Sequence, residues 1–167
     1  MKPINRTRAL HELGQSLWLD NITRGLLTSG TLREYIRNLS VTGLTSNPPI
    51  FDLAIKHSHF YDKAIQEKKT AGKSGEALFF ELAIEDLREA ADLFRPIYDA
   101  TAGMDGWVSL EVSPSLAYDP SATIKAAAQL PLQSIPECLP CQAIDFCHFT
   151  PSVAGIEVKQ PTFPTSA

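Results

Sequence analysis

No block of basic residues occurs anywhere in this chain. Fifteen Lys and Arg are scattered among nineteen Asp and Glu, for a net charge of −4. The electrostatic footprint of a nucleic-acid binder is therefore missing. No apolar run approaches the roughly 18 residues that a membrane span needs, so no membrane partner is expected. The start, Met1-Lys2-Pro3-Ile4-Asn5-Arg6, leads into no apolar segment, and no secretory signal is expected. Cysteine is missing from the first 137 residues, and Cys138, Cys141 and Cys147 crowd the end. Charge is scarce in that same end. Residues 131–167 hold one Lys, no Arg and three acids, whereas residues 1–130 hold 14 basic and 16 acidic side chains. Proline divides six and six across the boundary. The two stretches are read as different objects. Residues 1–130 have the composition of a folded domain, and 131–167 form an unassigned Pro/Cys-rich tail, expected to be irregular and disordered.

What is present is ordinary for a soluble domain: 44% apolar and 20% charged residues. Two hydrophobic periods alternate along residues 1–130. A helix is expected around Thr7–Leu13. Leu17-Trp18-Leu19-Asp20-Asn21 reads as a strand. Thr31–Leu39 reads as a helix with Leu32, Tyr35, Ile36 and Leu39 on one stripe. Val41-Thr42-Gly43-Leu44-Thr45 is a second strand, ended by Asn47-Pro48-Pro49, because proline brings no ladder donor. Helical segments follow around Ile50–Ile55 and from Tyr61 to about Lys69. The strongest helix runs over Glu76–Asp99, where Pro96 is expected to kink or end it. Trp107–Val112 is a third strand. Asp119-Pro120 then opens a last helix, as an N-cap followed by proline at the first helical position. Strand, helix, strand, helices, strand, helix is the order of a parallel α/β sheet.

Side chains alternate between the two faces of a strand. One face of each strand is largely apolar. The other carries a polar group near the C-terminal end: Asp20 in the first strand, Thr45 and then Asn47 in the second, Glu111 in the third. Chemistry in parallel α/β folds collects at those ends. A polar residue at a strand end also serves commonly as a helix cap or a solvated loop residue, and the pattern alone leaves both readings open.

Three segments carry a resemblance. They are Ser16-Leu17-Trp18-Leu19-Asp20-Asn21-Ile22, Thr42-Gly43-Leu44-Thr45-Ser46-Asn47-Pro48 and Val108-Ser109-Leu110-Glu111-Val112-Ser113. In this order they resemble the first three barrel strands of transaldolase, in its longer bacterial form, over about residues 5–130. Leu44 and Pro49 depart from the family's usual smaller residues. The resemblance implies the N-terminal portion, about three strands, of a (β/α)8 TIM barrel. It implies an aldehyde- or ketone-transferring enzyme of the pentose phosphate pathway, located in the cytoplasm. Such an enzyme passes a dihydroxyacetone unit between sugar phosphate substrates through a lysine Schiff base, with no metal or organic cofactor. Residue by residue, Asp20 matches the acid that takes the donor's C4 hydroxyl proton. Glu111 matches the acid that relays protons through water while the carbinolamine forms and dehydrates. Asn47 matches a residue that holds substrate hydroxyls, and Thr45 supports it.

The same resemblance implies a Schiff-base lysine on a fourth strand soon after residue 130. The chain reads Leu130-Pro131-Leu132-Gln133-Ser134-Ile135-Pro136 there, with no lysine. Lys125 has the setting of a helix-surface lysine, and Lys159 in Val158-Lys159-Gln160-Pro161 comes nearly thirty residues late. The expectation is an incomplete barrel, inactive as a lone chain. The abrupt change near residue 130 is what a shifted reading frame or an alternative end would leave. A different class of function rests on the tail, where Cys138, Cys141, Cys147 and His148 are four soft ligands. They suggest a small binding module with a metal-holding tail. Their spacing is short for the common zinc folds, and no metal site is assigned.

Overall fold

A computed structural model describes residues 5–126. Three parallel strands form one sheet in the order β1 (Leu17–Asp20), β2 (Val41–Ser46), β3 (Val108–Leu110). Helix α1 (Arg6–Glu12) precedes the sheet. Between β1 and β2 stand α2 (Arg24–Thr28) and α3 (Thr31–Leu39). Between β2 and β3 stand α4 (Pro48–Lys56), α5 (Asp62–Thr70) and α6 (Gly75–Ala100). A further helix begins at residue 120, where the Asp119 carboxylate accepts from the Ala122 N–H at 2.9 Å. The expected strands, helices and their order are thus present. This is the arrangement of the first strands and helices of a (β/α)8 barrel. The tail expected at 131–167 lies outside the described residues.

The helices cover one face of the sheet. Leu44, Val108 and Leu110 are buried there with Leu32 of α3 and Ala83, Leu87, Ala90, Ala91 and Phe94 of α6. The α6 set recurs at three- and four-residue steps, which places it on one stripe. Its three alanines are almost fully buried and let the helix lie close to the strands. Phe51 brings α4 into the same core, and Ile22 and Leu27 bring the segment after β1.

Helix α6 runs from Gly75 to Ala100, matching the expected Glu76–Asp99, and of the two effects expected of Pro96, ending the helix does not occur. Proline there removes one ladder bond, to the carbonyl of exposed Asp92, which water can satisfy. Phe94 and Ile97, packed in the core, hold the last turns, and the Thr101 N–H closes them on the Ile97 carbonyl at 2.9 Å. The third strand is also shorter than its apolar run, Val108–Leu110. The ladder still reaches Glu111, whose N–H donates to the Ser46 carbonyl at 2.9 Å.

Beyond the sheet, one ionic cluster ties α2, α5 and α6 together. Asp86 of α6, 1% exposed, accepts from Arg24 Nε at 2.7 Å and from the Tyr61 hydroxyl at 2.6 Å. Arg24 also reaches Glu85 at 2.9 Å and stacks over the Tyr61 ring. Burial pushes the Asp86 carboxyl upward, and the Tyr61 and Arg24 donors offset only part of that rise.

Candidate functional site

Parallel strands bring their C-terminal ends to the same end of the sheet. Asp20 lies opposite Thr45, and Thr45 lies opposite Ser109. The three make one rung across all three strands, on the face that the helices leave uncovered. Ser109 Oγ donates to Thr45 Oγ1 at 3.1 Å, which fixes the middle of the rung. One residue past the ends of β2 and β3, Asn47 and Glu111 fall on the same face by alternation.

A bulge decides this alignment. Leu17 pairs with Val41, but the next pair is Trp18 with Gly43, so Thr42 is an extra residue in β2. Without it Asp20 would stand beside Leu44, and the apolar and polar faces of the two strands would be mixed. With it Gly43 and Thr45 join Trp18 and Asp20. Thr42 and Leu44 turn into the buried layer.

Gly43 has a second role. A Cβ on it would stand 2.6 Å from Trp18 Cε2. The Trp18 indole lies directly over the β2 backbone, one rung below Asp20 and Thr45, and it needs a residue without a side chain beneath it.

Glu111 is half-buried. Burial raises its carboxyl above the usual range, and the negative charge of Asp20 raises it further. The two acids therefore feel each other across β2. Asp20 itself is exposed. A pair of carboxyls in unlike surroundings can hold and release protons at different pH, which acid–base work requires.

Asn47 serves first as a helix cap. Its Oδ1 accepts from the Ile50 N–H at 3.0 Å, with Pro48 in the first turn of α4. That fulfils the capping alternative without removing the residue from the site, since Nδ2 has no partner among the described residues. Ser109 was missed from the sequence: its only signal is alternation with Glu111, and a serine in a strand is commonplace.

No amine accompanies these acids among the described residues. Lys56, Lys63, Lys68, Lys69 and Lys125 stand on helices, and Lys73 lies in the loop between α5 and α6. Lys68 and Lys73 are engaged by Glu81 and Glu85. Lys159, Cys138, Cys141, Cys147 and His148 lie outside the described residues. Among the described residues no group of three metal-binding side chains occurs, and no helix is long and apolar enough to cross a membrane.

A sequence model of the transaldolase/fructose-6-phosphate aldolase family matches residues 17–134, from the first residue of β1 to four residues past the change in composition. The chain belongs to this family. A transaldolase from Arthrobacter sp. (strain FB24) is 45% identical over 124 residues, which cover 74% of this chain and 33% of the relative. "Transaldolase 2" from Nostoc sp. (strain PCC 7120 / SAG 25.82 / UTEX 2576) is 40% identical over 124 residues, 74% of this chain and 32% of the relative. A transaldolase from Thiobacillus denitrificans (strain ATCC 25259 / T1) is 43% identical over 127 residues, 76% and 35%. The chain thus spans about a third of the length of these transaldolases. The family match covers all three strands and their C-terminal ends.

Proposed function

We propose that the uncovered face of β1–β3 is the acid–base part of a transaldolase site acting on sugar phosphates. One observation carries this reading: Asp20, Thr45 and Ser109 form one rung across the three strands, beside half-buried Glu111, whose carboxyl is raised by burial and then by the charge of Asp20. In this reading Asp20 takes the C4 hydroxyl proton of the donor during retro-aldol cleavage. Glu111 relays protons through water while a carbinolamine forms and dehydrates. Asn47 uses Nδ2 for substrate hydroxyls because Oδ1 is committed to α4. Thr45, fixed by Ser109, supports that contact. No metal or organic cofactor takes part, and the reaction belongs to the pentose phosphate pathway in the cytoplasm.

The chemistry also needs a lysine amine to form the Schiff base that accepts electrons during cleavage. The described lysines stand on helices or in the loop between α5 and α6, and in this reading the chain does not turn over sugar phosphates by itself. In this reading residues 1–130 supply this part of the barrel.

Two experiments test the reading. Fructose 6-phosphate with borohydride should leave the mass of the isolated chain unchanged, and a trapped lysine adduct overturns its inactivity. Residues 1–134 should replace the matching third of the Arthrobacter transaldolase and give an active chimera. In it, Asp20→Asn and Glu111→Gln should each lower kcat by about 10²- to 10⁴-fold, the range for a positioned acid or base. Unchanged kcat in both variants overturns the site.

A further inference from the structure

Asp86 is an acid buried in the middle of α6. A buried ion pair carries a desolvation cost that packed apolar side chains of similar volume avoid. What this one holds in place is the start of α2. Arg24, the first residue of α2, donates to Asp86 through Nε. Its backbone N–H donates to the Tyr61 hydroxyl at 3.0 Å, and that hydroxyl donates to the same carboxylate at 2.6 Å. Side chain and main chain of one residue are thus bound to Asp86, directly and through fully buried Tyr61. The neighbour of Tyr61 adds a second contact. The Phe60 ring lies against the next backbone unit, where a Cβ on Gly25 would stand 2.9 Å from Phe60 Cε2. A five-residue helix has little stability of its own, so these contacts decide where α2 begins.

Asn21-Ile22-Thr23 alone separates that start from Asp20, the last residue of β1. Ile22 is fully buried, and Thr23 Oγ1 accepts from the Leu26 N–H at 2.9 Å. The connection has little slack. Asp20 is exposed, and its charge and that of Glu111 repel. Two like charges move apart unless the chain that carries them is held. We propose that Tyr61 is a positioning residue for the acid pair: with Asp86 and Arg24 it clamps the first turn of α2, and so keeps the Asp20 carboxylate in place on its rung despite the repulsion of Glu111. The proposal rests on the reading of Asp20 and Glu111 as an acid–base pair. It gives the ionic cluster on the outer layer a function at the uncovered face.

The test uses the full 167-residue chain and follows the Glu111 carboxyl by NMR against pH in Tyr61→Phe, with and without Asp20→Asn. Tyr61→Phe changes no charge and keeps the ring. It should let Asp20 move away and lower the Glu111 midpoint, by less than Asp20→Asn does. In the Asp20→Asn background the same substitution should leave the midpoint in place. Phe60→Ala, at an exposed position, loosens the same turn and should act in the same direction. Phe94→Leu, in the core further along α6, should lower stability without moving the midpoint, which separates positioning from a loss of stability. Three results overturn the proposal: parent midpoints in both Tyr61→Phe and Phe60→Ala, the same shift in both backgrounds, or an equal shift in Phe94→Leu. No turnover is needed, so the proposed chemistry fails separately. Unchanged kcat for Asp20→Asn in the chimera, together with the expected shift in Tyr61→Phe, supports the clamp and refutes the acid–base role of Asp20.

Discussion

Burial, and after it the charge of Asp20, raises the proton affinity of Glu111, although β2 stands between the strands of the two acids. The relationship depends on Thr42, the extra residue that places Thr45 beside Asp20 and keeps the polar side chains of all three strands on one face. Removing the charge should show it directly. Asp20→Asn is expected to lower the Glu111 pKa toward its ordinary value, with burial still holding it above. Carboxyl carbon shifts followed by NMR against pH check this, and an unmoved midpoint refutes the coupling.

Glu111 should also appear in the pH dependence of stability. Its folded pKa lies above the ordinary 4.5. Above that value the folded state holds more proton than the unfolded chain, so stability falls as pH rises through the window. Below it both states are protonated and the contribution vanishes. Glu111→Gln is therefore expected to gain on the parent as pH rises from about 4 to 7. Urea melts at several pH values measure the difference, and a gap that does not change with pH contradicts it.

Gly43 and Trp18 form a packing pair. Gly43→Ala places a methyl group against the indole and should cost about 1–3 kcal/mol, the range for overpacking. Trp18→Ala removes the obstruction. The double variant should lose less than the sum of the single losses, and strict additivity in denaturant melts counts against the contact.

The Arg24–Asp86 pair should be sensitive to loss of one partner. Arg24→Ala leaves a carboxylate that is 1% exposed with the Tyr61 hydroxyl as its remaining side-chain donor. The expected loss is about 3 kcal/mol, the lower end for breaking a buried pair, because Arg24 keeps some solvent contact. The loss should shrink at acid pH, where Asp86 protonates first because its folded pKa is raised. Chemical denaturation at pH 7 and at pH 4 makes the comparison.

Asn47 allows capping to be separated from binding. Asn47→Ala should cost about 1 kcal/mol through loss of the bond to the Ile50 N–H. Asn47→Asp keeps a good cap and removes the Nδ2 donor. It should retain stability and, in the chimera with the Arthrobacter enzyme, raise KM. Equal stability loss in both variants rejects this division.

The sequence by itself determined the strands, the long helices and which residues of each strand share a face. Those features depend on neighbours a few positions away. The period of the side chains marks Thr31–Leu39, and proline and asparagine mark the turn at Asn47. It also assembled Asp20, Thr45, Asn47 and Glu111, because they recur at the same end of successive strands. The five-residue helix Arg24–Thr28 is too short to show a period and was not legible. Only the tertiary structure decided the bulge at Thr42, the seat of Trp18 over Gly43, the bond from Ser109 to Thr45 and the burial of Asp86. Each depends on residues far apart in the chain, whose pairing register and depth are set when helices and strands pack together rather than by local preference.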